Sequence, residues 1–473
     1  MPFTACGVFD VEARYKQFLE HHLGAATELH LGCQDGDVTR IDPTTLKGPI
    51  DFVCSGPPCP PWAGNGKKLG PQDERADVFI SVVKLVVYCV KIGWLLGCII
   101  ENVAGTVHTT QDNGDGFMYR VQRALQEECS EFVWEVVILN ARDYRLAQNR
   151  CRVFLRGMRT SFCGPTVPPV AASLGKLHLA DFLDASAAAT PVRALTPHMK
   201  TNLRGMEKRI RFDREQGKLE GVNLVVMALD RSLKSDAVFK ARYMQDMSPT
   251  LTCSNKYLFI ISVDDVCEKA PRFRRFLLPQ ERLLLQGFSS EVYEYLENDN
   301  LAVKAAGNAY PVPLLAACLK PMVEQLGAAE GLYTEWPRTT TPMDCTDTMQ
   351  RIQNMLKTPQ QMCKRRAAAA GLQRTFKRPA ASSSSSLTVE APAPAPKGKQ
   401  RCPKRFLRKT LIKCLKAKKS KNTASLRSQT ATGKGKKIAS GDKTGVAGSV
   451  VAFMGGTYQR ISKQVFIMSS DEE

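Results

Sequence analysis

Three short segments carry residue types that could do chemistry. Gly56-Pro57-Pro58-Cys59-Pro60-Pro61-Trp62 holds one cysteine between pairs of prolines. Proline fixes the backbone, so the thiol is held in place. With thiolate character such a cysteine is a nucleophile. Glu101-Asn102-Val103 follows an apolar run. Burial there raises a carboxyl pKa and lets it deliver a proton near neutrality. In Gln148-Asn149-Arg150-Cys151-Arg152, an extended backbone puts Gln148, Arg150 and Arg152 on one face. Each segment alone has a plainer reading. These are a structural turn around an inert cysteine, a helix cap or edge ion pair, and a solvated strand face.

The elements that must position these groups alternate in type. Residues 6–10, 50–54, 95–100, 133–139 and 152–156 read as strands, and 11–22 and 77–92 as helices. That alternation predicts a parallel, doubly wound α/β sheet. Ligands bind beyond the carboxyl ends of such strands, where the segments at 56–63 and 101–102 fall. The apolar stretch 78–100 contains Lys84, Lys91, Gly93 and Gly97, so it reads as helix then strand and not as a membrane span. Residues 157–246 are richer in Pro and Ala and carry 14 basic against 9 acidic residues. Strand character resumes at 249–252 and 257–262, with helices starting at Pro279 and Pro313. Residues 331–473 read as a low-complexity tail. The sixteen cysteines are scattered without a C-x-x-C pair, which fits a reducing compartment and offers no metal site.

Taken in this order, the three segments resemble the motifs of the cytosine C5 DNA methyltransferase family. Asn140-Ala141-Arg142-Asp143-Tyr144 resembles the stretch that precedes that family's arginine motif. Arg275, Pro279, Glu281 and Gln286-Gly287-Phe288 resemble its ninth motif, and Gly307-Asn308-Ala309-Tyr310-Pro311 its tenth. The resemblance covers about residues 5–328. It implies a Rossmann-like methyltransferase sheet in residues 1–156 that returns in 247–330. A small target-recognition region would lie at 157–246, and a disordered basic tail at 331–473. It implies S-adenosylmethionine as cofactor, DNA as partner and a cytosine flipped out of the duplex. Cys59 would add to C6, Glu101 would engage N3, and Arg150 and Arg152 would steady the ring, with Arg152 in direct contact. Asp10, Asp37, Pro58 and Asn308 would line the cofactor pocket.

The sequence also departs from that pattern. No Phe-x-Gly-x-Gly strand precedes Cys6, so the chain reads as starting near the family's second strand. An incomplete gene model or a truncated isoform is the simplest expectation, with a catalytically impaired nucleic-acid-binding paralogue as an alternative. A second possibility is that Ser449-Val-Val-Ala-Phe-Met-Gly-Gly456 takes the place of the central strand. The nucleophile loop has Pro60 and Ala63 where the family has Gln and Ser or Thr. An RNA methyltransferase on the same fold is a further alternative, although its Cys-Phe-Thr tripeptide is not visible. The chain carries 66 Lys+Arg against 46 Asp+Glu, a net of +20. Residues 351–473 hold 27 and 5 of these, a net of +22, and residues 1–350 hold 39 and 41, a net of −2. Clusters such as Lys364-Arg365-Arg366 and Lys416-Ala-Lys418-Lys419 therefore read as phosphate-binding or nuclear-localisation segments, or as a solvated linker. The implied location is nuclear.

Overall fold

The structure is a computed structural model describing residues 4–9, 13–15, 28–29, 37–46, 49–63, 70–108, 116–170, 177–187, 189–191, 194–231, 243–267, 273–328, 341–356 and 449–454. The strands are β1 (Thr4–Phe9), β2 (Glu28–Leu29), β3 (Phe52–Gly56), β4 (Gly97–Val103), β5 (Phe132–Asn140), β6 (Gln148–Asn149) and β7 (Cys151–Arg159). They continue with β8 (Leu224–Ala228), β9 (Met244–Gln245), β10 (Ser248–Pro249), β11 (Leu258–Ser262), β12 (Arg274–Phe276) and β13 (Ser449–Met454). The helices are α1 (Ala76–Lys91), α2 (Phe117–Glu128), α3 (Pro197–Glu215), α4 (Pro279–Leu284), α5 (Asp299–Asn308), α6 (Val312–Ala328) and α7 (Thr346–Leu356).

A seven-stranded sheet in the order β2-β1-β13-β3-β4-β7-β5 forms the centre. β1 and β2 are parallel neighbours, as are β3 and β4, whereas β7 is antiparallel to both β4 and β5. β3, β4 and β7 are buried on both faces, and their alternate residues serve opposite layers. Val53, Cys98, Ile100, Val153 and Leu155 pack under α1 and α2. Phe52, Cys54, Ile99, Phe154 and Met158 pack under α6. This period of two is why the strands read as continuous apolar runs. The stretch 78–100 divides into α1 and β4 as the sequence predicts, and no described helix is long and apolar enough to cross a membrane.

A second sheet, β12-β11-β8-β9, is antiparallel throughout. Leu195, Met199, Leu203, Met206 and Ile210 of α3 and its approach pack on one face of it. The boundary expected at residue 246 falls inside this sheet, because β8 pairs with β11 along its whole length. Such long-range pairing leaves no local mark in the sequence.

One feature differs from the sequence reading. The tail expected from 331 includes a folded helix, α7. Met349, Ile352 and Leu356, spaced three and four apart, seal into the core beside α2. Arg351 meets Glu128 of α2 with two hydrogen bonds of 2.6 and 2.7 Å. Of the helix expected over 11–22, only a single 3₁₀ turn at Ala13–Tyr15 lies among the described residues. The strand at 449–454 lies in the sheet beside β3, where the sequence allowed for it. It runs antiparallel to both β1 and β3, with Ser449 opposite Gly56 and Met454 opposite Thr4. It therefore supplies ladder partners to both neighbours, yet leaves the sheet at the amino end. Gly455 and Gly456 lie outside the described residues.

Docking of α7 rests on buried apolar surface and not on its ion pair. Ile352→Ala is expected to lower unfolding stability by about 2–5 kcal/mol. Arg351→Ala should have a much smaller effect, since the pair is solvated. Urea unfolding of the two variants checks this, and equal losses would contradict it.

Candidate active site

β3 and β4 run side by side with Ser55 opposite Ile100. Their carboxyl ends therefore deliver Pro57–Cys59 and Glu101–Asn102 to one place. Asn102, fully buried, ties the two ends together. Its Nδ2 donates to the Pro57 carbonyl at 3.1 Å, while its Oδ1 accepts from the Val103 amide at 2.9 Å. Beyond Cys59 the chain turns, and the Trp62 and Ala63 amides donate to the Cys59 carbonyl at 3.0 and 2.9 Å. The Trp62 ring anchors this turn. It stacks on Phe117 at 4.8 Å and meets Phe79 edge-on at 5.8 Å. Gly56 is needed where β3 ends: a Cβ there would lie 2.9 Å from the Tyr310 ring and 3.5 Å from Glu101 Oε2.

Glu101 is 8% exposed and Arg152 7%. Arg152 stands opposite Val103 across the β4–β7 ladder, so Glu101 is its diagonal neighbour on the same face. Arg152 Nε lies 2.7 Å from Glu101 Oε1, and its Nη1 donates to the Cys151 carbonyl at 2.8 Å. Burial raises the Glu101 carboxyl above the usual range, against the pull of Arg152 and Arg150. Cys59 is half-buried. Burial pushes its thiol up, Arg152 and Arg150 pull it down, and Glu101 adds to the rise. The three groups thus lie within electrostatic reach of one another.

Arg150 takes a different position from the one its spacing suggested. It is buried, with Nη1 donating to the Leu251 carbonyl at 2.5 Å and Nη2 to those of Gly307 and Ala309 at 3.1 and 2.5 Å. Its guanidinium clamps the turn after α5 onto the 249–252 segment. The alternation of 148, 150 and 152 breaks because β6 ends at Asn149 and β7 starts at Cys151. Gln148 is buried too, its Nε2 on the Leu285 carbonyl at 2.7 Å and its Oε1 accepting from the Leu251 amide at 3.3 Å. Arg275 makes two bonds to Glu281, of 2.9 and 2.6 Å, and one to the Asp184 carbonyl at 2.8 Å.

Of the residues expected at the cofactor, Asp10 lies outside the described residues, directly after β1. Pro58 is buried beside Cys59. Asp37 caps a 3₁₀ turn, accepting from the Thr39 amide at 2.9 Å and hydroxyl at 2.7 Å. Asn308 ends α5, and its Oδ1 accepts from the Cys253 thiol at 2.6 Å. Cys253 escaped the sequence reading. Its thiol is raised by burial first and then by Cys59, which places a second sulfur near the first. The only sequence signal was its place after Pro249-Thr250-Leu251-Thr252. A cofactor fits the sheet itself. β1 connects outward to β2 and β3 outward to β4, so the strand order reverses between β1 and β3. The crevice at that reversal is where doubly wound sheets bind nucleotides. No metal-ligating cluster occurs among the described residues.

The chain is 25% identical over 320 residues to the type II methyltransferase M.DsaV of Dactylococcopsis salina, covering 66% of this chain and 80% of that one. It is 27% identical over 304 residues to M.NgoPII of Neisseria gonorrhoeae, covering 62% and 83%. Among solved structures, the Entamoeba histolytica methyltransferase EhMeth superposes with a TM-score of 0.40 at 14% identity, covering 67% of this chain and 89% of that one. Residues 27–324 match the C-5 cytosine-specific DNA methylase family, whose enzymes use S-adenosylmethionine as methyl donor, and the chain belongs to that family.

Proposed function

We propose that the chain is a DNA cytosine C5 methyltransferase that works through a covalent Cys59 adduct on a flipped cytosine. The observation that carries this reading is the convergence of Cys59, Glu101 and Arg152 at the ends of adjacent strands. The family description and the type II relatives support DNA as substrate over RNA.

Cys59 Sγ adds to C6 of the base once its proton has left, while Glu101 holds or protonates N3. Electron density then accumulates at C5. Arg152 keeps the Glu101 carboxyl oriented and presents its free edge to the ring oxygen. S-adenosylmethionine, when bound, supplies an electrophilic methyl group. Asp10 and Pro58 at the ends of β1 and β3, with Asp37 and Asn308, would hold it. After C5 is methylated it loses its proton to a solvent base, any proton on N3 returns to Glu101, and the C5–H electrons expel Sγ from C6 to free Cys59. Arg150 is a positioning residue in this scheme. It fixes the Gly307–Ala309 turn and so the Tyr310 ring over Gly56.

The α3 surface fits a phosphate backbone. Lys200, Arg204 and Lys208 recur one turn apart on its outer side, where Arg204 and Lys208 are exposed. The plainer reading is a solvated helix face, and salt dependence separates the two. Each phosphate contact contributes about −0.9 to the slope of log K against log salt.

Methyl transfer to unmethylated duplex DNA should be lost in Cys59→Ser and fall about 10²–10⁴-fold in Glu101→Gln. Transfer to RNA but not to DNA would move the substrate assignment. The pH profile of Cys59 alkylation, followed by mass spectrometry of its peptide, should lie above that of a free thiol (about 8.5). Arg152→Met removes the largest stabiliser of the thiolate and should shift that profile further up. Glu101→Gln removes a destabiliser and should shift it down. Equal or reversed shifts would contradict the electrostatic coupling. The triple variant K200A/R204A/K208A should bind duplex more weakly at low salt, with a salt slope shallower by about 2.7. An unchanged slope would leave α3 as a solvated face.

A further inference from the structure

One slot in the central sheet is filled by a segment remote in sequence. β13 lies between β1 and β3, pairing Val450 with both Phe9 and Ser55, and Val451 with both Val8 and Cys54. Its ladder to β3 is unbroken from Ser449–Gly56 to Phe453–Phe52. Against β1 there is one irregularity, between Ala5 and Gly7. Two strands that flank a third stand about 9.5 Å apart. That is the separation imposed on the two chain ends leading to Asp10 and to Pro58, at the point where the strand order reverses.

We propose that residues 449–454 set the width of the cofactor cleft. They act as a strand lent from the far end of the chain, latched in cis, that holds the carboxyl ends of β1 and β3 one strand apart. This rests on the reading of Asp10 and Pro58 as cofactor residues. Without an occupant, β1 and β3 either close on each other or leave two rows of backbone donors and acceptors unpaired. In either case the two loop origins shift by several ångströms. The strand is joined to α7 by the 92 residues 357–448. A tether within one chain gives a segment an effective concentration of up to millimolar order. At micromolar protein this favours the chain's own strand over one from a second copy. The reversed direction fits this role: the strand spaces β1 and β3, while its last residue, Met454, stands at the amino end, away from Cys59.

The full-length chain tests the proposal through its native Cys54, which faces Val451 in the register. V451C under copper–phenanthroline and air should form a disulfide to Cys54 within one chain, dioxygen taking the electrons from the two thiols. V450C, opposite Ser55, should not form one. A452P removes a ladder amide in mid-strand. It should raise the S-adenosylmethionine dissociation constant at least tenfold in calorimetry and speed amide exchange in 4–9 and 52–56. The cross-linked V451C chain should keep the parent affinity, and it keeps the test valid if A452P fails to fold. Absence of the intrachain link, or a link only between chains, would overturn the latch. Faster exchange with unchanged cofactor affinity would overturn the role in the cleft. If the parent chain links through V451C yet binds no S-adenosylmethionine, the cofactor reading of this site fails while the strand's position stands.

Discussion

The ion pair between Glu101 and Arg152 is the constraint around which the site is built. Both side chains are nearly out of solvent, 2.7 Å apart. Removing either partner leaves a buried charge, at a cost of about 3–5 kcal/mol. Such a pair adds little net stability over apolar residues. Here it tunes two groups at once. The guanidinium opposes the effect of burial on Glu101 and is the largest influence lowering the Cys59 thiol. One cation therefore pulls both the acid and the nucleophile toward their ionised forms, against burial.

The surrounding fold can be understood as what that pair needs. Parallel pairing of β3 and β4 brings the Cys59 loop level with Glu101, and antiparallel β7 delivers Arg152 from the other side. Asn102 links the strand ends, and the stacked Trp62 and Phe117 rings close the turn beyond Cys59. On the far side, Arg150, Gln148 and Arg275 bind backbone carbonyls across segments that meet only in the folded state. These buried polar groups satisfy irregular backbone that no regular element serves.

Legibility in the sequence followed the range of the forces involved. The meeting of Cys59 and Glu101 could be expected because prolines and an apolar strand are local signals, and Arg152 joined them through the order of segments that resembles one family. α1, β4, β5 and β7 were legible for the same reason. The role of Arg150 was not, since its three carbonyl partners lie 101 to 159 residues away. α7 was hidden because a three-residue apolar stripe between polar segments looks like tail until α2 is there to receive it. β13 could be guessed as a strand, but its direction depends on a register set by β1 and β3. Cys253 gave no periodic or motif signal, and only packing of the 249–252 segment against α5 brings it near Cys59. The net charge of +20 pointed to a nucleic-acid partner through the tail, whereas the site's own charges are few, buried and paired.

The central claim is that Cys59 bonds to the base under the influence of Glu101 and Arg152. Its most direct measurement is the mass of the peptide covalently joined to a 5-fluorocytosine duplex in the presence of S-adenosylmethionine. The account predicts a stable adduct on the peptide containing Cys59. An adduct mapped to Cys253 or to any other thiol, or turnover of cytosine duplex with no adduct on the fluorinated one, would contradict it.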